Sequence, residues 1–159
     1  MVLIDNTVLS NFALIRHPTA IRYAFSEPIC TTEQVFEELN QGIKLQRLPK
    51  FSWEWLEVID MTEGEAIQFT QLQRQLDKGE ASCLAVASQR KWKIATDDKD
   101  ARKWAIRLQI PHTGTLGILG LLIVQNYIGL DEGNAWLAGM IEAGYHSPMS
   151  TLDGLIQGK

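Results

Sequence analysis

Residues 77–105, DKGEASCLAVASQRKWKIATDDKDARKWA, decide how this chain folds. The first half predicts a helix opening at Gly79-Glu80. Cys83, Leu84 and Ala87 share one of its faces, and Glu80 belongs near that face because positions three and four apart align. Residues 93–96 then predict a short strand that ends abruptly in Asp97-Asp98-Lys99-Asp100, before another helix running through Arg107. Like charges at this spacing raise one another's pKa, so such a cluster belongs on a solvated loop or around a cation. Helix, strand, acidic turn and helix in that order make half of an α/β unit.

The N-terminus supplies a second such strand. Residues 1–4 form an apolar run without alternation, as suits a parallel strand buried on both faces. Asp5 follows at once. Asn6 or Thr7 is the expected cap of a helix carrying Val8, Leu9, Phe12 and Ile15. Asp5 therefore sits at the carboxyl end of a central strand, where open α/β sheets bind ligands. A strand at residues 28–30 leads to a helix capped by Thr31 or Thr32 and ended by Gly42. In that helix Val35, Phe36 and Leu39 face inward and Glu38 points partly the same way, an unusual place for a carboxylate. Phe51, Trp53 and Trp55, ahead of a strand at residues 56–59, have the chemistry to stack on bases, but packing is the commoner use of such aromatics and the preferred reading. Thr62 and Glu65 have capping-box spacing for a helix over residues 62–76.

Residues 110–112 predict one more strand. After them come an apolar helix opening near Thr113 and two further helices, over residues 132–143 and 149–156. The expectation is an α/β, three-layer α-β-α fold with a central, mainly parallel sheet covered by helices. It forms a single domain over residues 1–159, the last ~30 residues being a helical C-terminal extension.

Composition agrees with a globular chain: 159 residues, 45% hydrophobic and 21% charged. The net charge of −4 argues against bulk attraction to a polyanion. Nine of the fifteen basic residues nevertheless lie between Arg74 and Arg107. Cys30 and Cys83 lack the spacing of a zinc or redox motif and read as core residues in a reducing, cytoplasmic setting. The apolar run over residues 116–124 is too short to span a membrane, which takes about 20 residues.

Asp5 and the Asp97/Asp98 pair share one sheet edge in this reading, and Glu38 and Glu80 lean over it from helices. Oxygen ligands with no partnering His or Cys define a hard-cation site, for Mg²⁺ or Mn²⁺. The segments 3–9 (LIDNTVL), 35–39 (VFEEL), 79–81 (GEA) and 96–98 (TDD) resemble a PIN-domain ribonuclease, especially its VapC-like toxin branch. The tail, with Ala101-Arg102, Ala105, residues 114–119 (GTLGIL), Gly129-Leu130 and Ala143-Gly144-Tyr145, is similar to a little-characterised prokaryotic branch.

The resemblance implies Asp5, Glu38, Glu80 and Asp98 as catalytic, metal-binding acids, with Asp97 the alternative for the last. Thr96 and Thr115 would support the site, and Arg102 and Lys99 would contact RNA. It further implies metal-assisted hydrolysis of RNA, a homodimer, and a cognate antitoxin protein, with no membrane. Glu80 stands where toxins often carry Asp, a departure that bears on metal geometry. A catalytically silent PIN-fold module that binds RNA or protein is the competing reading. Other α/β classes fit less well. A haloacid-dehalogenase-like phosphatase needs an Asp where Thr7 stands. A receiver domain has its acidic pair early, and the glycines after residue 113 do not have dinucleotide-binding spacing.

Overall fold

A computed structural model describes residues 1–157. Five short strands form one sheet: β1 (Val2–Ile4), β2 (Ile29–Thr32), β3 (Glu57–Ile59), β4 (Lys93–Ala95) and β5 (His112–Thr113). Their spatial order is β3-β2-β1-β4-β5 and every pairing is parallel. Helices cover both faces, giving the expected three-layer α/β fold. Val2, Leu3 and Ile4 are wholly buried, as a central strand with helices on each side requires.

The connections place the site. From β1 the chain passes through α1 (Asn6–Leu14) and a 3₁₀ helix (Pro18–Tyr23) to β2, then through α2 (Glu33–Lys44) to β3. It next returns across the sheet, by way of α3 (Glu63–Leu72) and α4 (Lys78–Arg90), to β4 on the other side of β1. α5 (Lys99–Arg107) leads outward to β5. The direction of travel thus reverses between β1 and β4, and the crevice beyond their carboxyl ends is where such sheets bind ligands.

α4 is buried along residues 79–87, where Ala81, Ser82, Cys83, Ala85 and Ala87 keep its girth small. It packs against α2, α3 and α5 as well as against β1, β2 and β4. α3 is joined to it by charge. Thr62 and Glu65 form the expected capping box, and Arg90 meets the buried Glu65 at 2.7 Å. α6 (Thr115–Val124), α7 (Leu130–Glu142) and α8 (Asp153–Gln157) complete the chain, α6 packing on both of the others. Residues 158 and 159, the end of the span expected for the domain, lie outside the described residues. No helix among those described is long and apolar enough to cross a membrane.

Several boundaries differ from expectation, each for a local reason. Asp5, rather than Asn6 or Thr7, caps α1, its side chain accepting from the Asn6 N–H. Gly42 lies inside α2, which ends two residues later because Gln46 takes the left-handed conformation, φ 59°. α3 stops at Leu72 instead of continuing to residue 76. β5 lies at His112–Thr113, beyond the expected 110–112, because the Ile110 N–H bonds to the Ala105 carbonyl and Pro111 has none to give. Trp53 is buried, and Phe51 and Trp55 pack partly buried against the core, so these aromatics anchor the loop before β3.

Candidate functional site

Each strand that points into the crevice delivers an acid at its exit. Asp5 follows β1 and is 2% exposed. Its Oδ1 accepts the Asn6 N–H at 2.8 Å, and its Oδ2 accepts hydroxyl hydrogens from Thr96 at 2.7 Å and Thr7 at 3.2 Å. Thr96 is thus a strut between the ends of β1 and β4, and its Oγ1 also accepts the Asp98 N–H at 3.2 Å.

The adjacent acids after β4 diverge. Asp97 turns toward α6: it accepts the Thr115 N–H at 2.8 Å, the Thr115 hydroxyl at 2.5 Å and the Asn11 amide at 3.0 Å. Its own N–H donates to Thr7 Oγ1 at 3.0 Å. Both of its oxygens are therefore occupied by protein donors. Asp98 caps α5, with Oδ1 accepting the Ala101 N–H at 2.8 Å, and its charge bears on Glu80.

Two helices bring the remaining acids. Thr32 caps α2 by accepting the Val35 N–H, which fixes the phase that puts Glu38 on the inward side. Glu38 Oε1 accepts the Gly79 N–H at 2.7 Å, so the start of α4 lies directly against it. A hydroxyl pair, Thr32 with Ser82 at 2.7 Å, pins α4 to the end of β2. Glu80 then sits one position past Gly79, nearly buried.

Sequence reasoning missed Asp77. It caps α4 by accepting the Glu80 N–H at 3.2 Å, and its charge bears on Asp5, Glu38 and Glu80 together. The Asp-x-x-Glu spacing ahead of an apolar helix carries that cap signal. Asn11 was missed as well; it bridges Asp97 and Thr115 from a buried position in α1.

The electrostatics follow from this crowding. Burial first, then neighbouring carboxylates, pushes Asp5 up to about 6 and Glu38 up to about 7. Glu80 is pushed up to about 9 by burial and by Asp77, Asp98 and Asp5. No ion pair relieves these acids: those found among the described residues join Arg90 to Glu65 and Lys93 to Glu27, away from the crevice. Arg102 does not pair with Asp98 but lines a small hollow of about 150 Å³ with Asp97, Tyr145 and His146. Lys99 is exposed in the first turn of α5.

A carboxylate-only donor set starved of positive charge fits a hard divalent cation. Among the described residues no three His, Cys, Asp or Glu side chains stand close enough together to hold a metal ion as they are placed. Asp5, Glu38, Glu80 and Asp98 are the residues that fit it.

A search among curated proteins gave no significant match. A family model described as a PIN domain, by contrast, matches residues 1–158, all but the last position. The chain belongs to the PIN-domain family, whose members are generally nucleases.

Proposed function

We propose that this chain is a metal-dependent endoribonuclease, and the toxin of a toxin–antitoxin pair. One observation carries the catalytic reading: acids from four separate elements face one crevice, none of them in an ion pair among the described residues, and burial has raised the pKa of three. Such an arrangement costs stability unless a bound cation repays it. Membership of a nuclease family supports the same conclusion.

Asp5, Glu38, Glu80 and Asp98 would hold Mg²⁺ or Mn²⁺, which supplies charge neutralisation at the scissile phosphate and a more acidic attacking water. The chain's own residues do the positioning. Thr96 and Thr7 orient Asp5, the Gly79 N–H orients Glu38, and the Ala101 N–H holds one oxygen of Asp98. We assign Asp97 to the scaffold, since its oxygens are spent on Thr115 and Asn11. Lys99 and Arg102, exposed on α5 beyond Asp98, would hold RNA phosphates. The toxin role, the homodimer, the cytoplasmic setting and the antitoxin rest on the resemblance of the sequence segments to the VapC-like branch.

The test is cleavage of a pool of structured and unstructured RNAs with Mg²⁺ or Mn²⁺, beside Asp5→Asn, Asp98→Asn and a chelator control. Loss of cutting in both variants and with chelator is expected. Equal cutting by the variants would overturn the site assignment. An intact protein that neither cuts nor binds metal would be a silent binding module.

A further inference from the structure

We infer that single-stranded RNA enters this site along a groove beside α1 and α2, its phosphates tracked by Lys78, Arg47, Arg16 and Lys50. The inference rests on the nuclease reading above and gives the substrate a path.

The groove begins at the acids. Glu38 and Asp77 line the inner end of a hollow of about 730 Å³ that opens between the start of α4, α1 and α2. A second hollow, of about 530 Å³, continues it along the segment after α2. Leu14, Arg47 and Leu48 line both, so the two are one furrow. Lys78 and Arg47 belong to its inner part, Arg16 and Lys50 to its outer part. All four are exposed, and none forms an ion pair among the described residues.

The distribution of charge identifies the occupant. The chain as a whole is acidic, at −4, yet the furrow leading to its most acidic point is lined by four cations against one further carboxylate, Glu37. An acidic peptide would be drawn to the cations and repelled at the inner end. A polyanion whose terminal charge meets a divalent cation at that end is matched by the four cations, which outnumber Glu37 along the way. An apolar floor of leucines between cations suits a flexible strand whose bases can lie down, as single-stranded binding grooves combine charge with apolar contact. A rigid duplex has its bases stacked inside and could not use that floor.

The experiment measures binding of a short 2′-O-methyl oligouridylate in Mg²⁺, by fluorescence anisotropy over a salt series. Arg47→Glu with Lys50→Glu should weaken binding about 10-fold at ~0.1 M salt. It should also make the salt slope shallower by about 1.4, at ~0.7 per lost phosphate contact. The control reverses Lys103 and Arg107, exposed cations on α5 outside the furrow, and should change neither. Thermal melts verify that all variants fold. Equal weakening by both pairs means diffuse charge and overturns the path. Unchanged binding in the furrow variant, or no binding by the wild type, overturns it too. Furrow-dependent binding by a chain that never cuts RNA would uphold the path and refute the nuclease reading. Cutting that ignores the furrow charges would do the reverse.

Discussion

The Gly79 N–H reaches Glu38 Oε1 at 2.7 Å, and that approach leaves no room for a Cβ at position 79 without moving the carboxylate. The obstacle is the far end of a flexible side chain, so the fold can yield cheaply while the site cannot. Gly79→Ala should leave the melting temperature unchanged or slightly raised, Ala being the better helix former by up to ~1 kcal/mol. Metal affinity should fall about 10-fold, in the range of lost orienting contacts elsewhere. Melting curves and metal titration together check this, and undiminished affinity would remove Glu38 from the ligand set. Where Asp5, Glu38, Glu80 and Asp98 stand, though not Asp77, was legible in the sequence because each follows a strand exit or a helical phase that topology aims at one edge. Asn11 was not. A single amide in an apolar helix has no signal that distinguishes a bridge to Asp97 and Thr115, 86 and 104 residues away, from a solvated position.

At the scale of elements, α4 does two things at its start that one residue performs: Asp77 caps the helix and adds a charge to the crevice. The two can be separated. Asn caps about as well as Asp but carries no charge. In chelator at neutral pH, Asp77→Asn should therefore raise the melting temperature by ~2 °C, roughly what a fraction of a kcal/mol moves a chain of this size. Metal affinity should drop, since the cation loses a neighbouring charge. A lowered melting temperature would mean that Asp77 matters as a cap and not as a charge. Element types followed from pattern, but their ends followed from bonds the pattern cannot show. α2 runs past Gly42, and α4 ends on Lys91 in the left-handed conformation, φ 59°, with no glycine involved. Which residue stops a helix was decided by the turn after it.

Over the whole molecule the crevice acids set how stability varies with pH. Asp5, Glu38 and Glu80 bind protons at about 6, 7 and 9 in the folded chain, against ordinary values of 3.8, 4.5 and 4.5. Between about pH 4 and pH 9 the folded chain therefore holds more protons than the unfolded one, and stability falls as pH rises through that window. Glu65 works the other way. Arg90 holds its carboxyl below the usual range, so its contribution is full above 4.5 and fades as pH falls below that. The metal-free chain should accordingly be most stable in mildly acidic solution and melt ~5 °C lower at pH ~8.5 than at pH ~5.5. Mg²⁺ or Mn²⁺ competes with those same protons, so its stabilising effect should be small at the acidic end and large at the alkaline end, reversing the slope. Calorimetric titrations at neutral pH in buffers of different ionisation heat should show protons released as metal binds, with Glu80 the main source. A melting temperature flat across the window in chelator, with no protons released by metal, would mean that these acids are already balanced. The charge-starved crevice, and with it the case for a cation there, would then be gone.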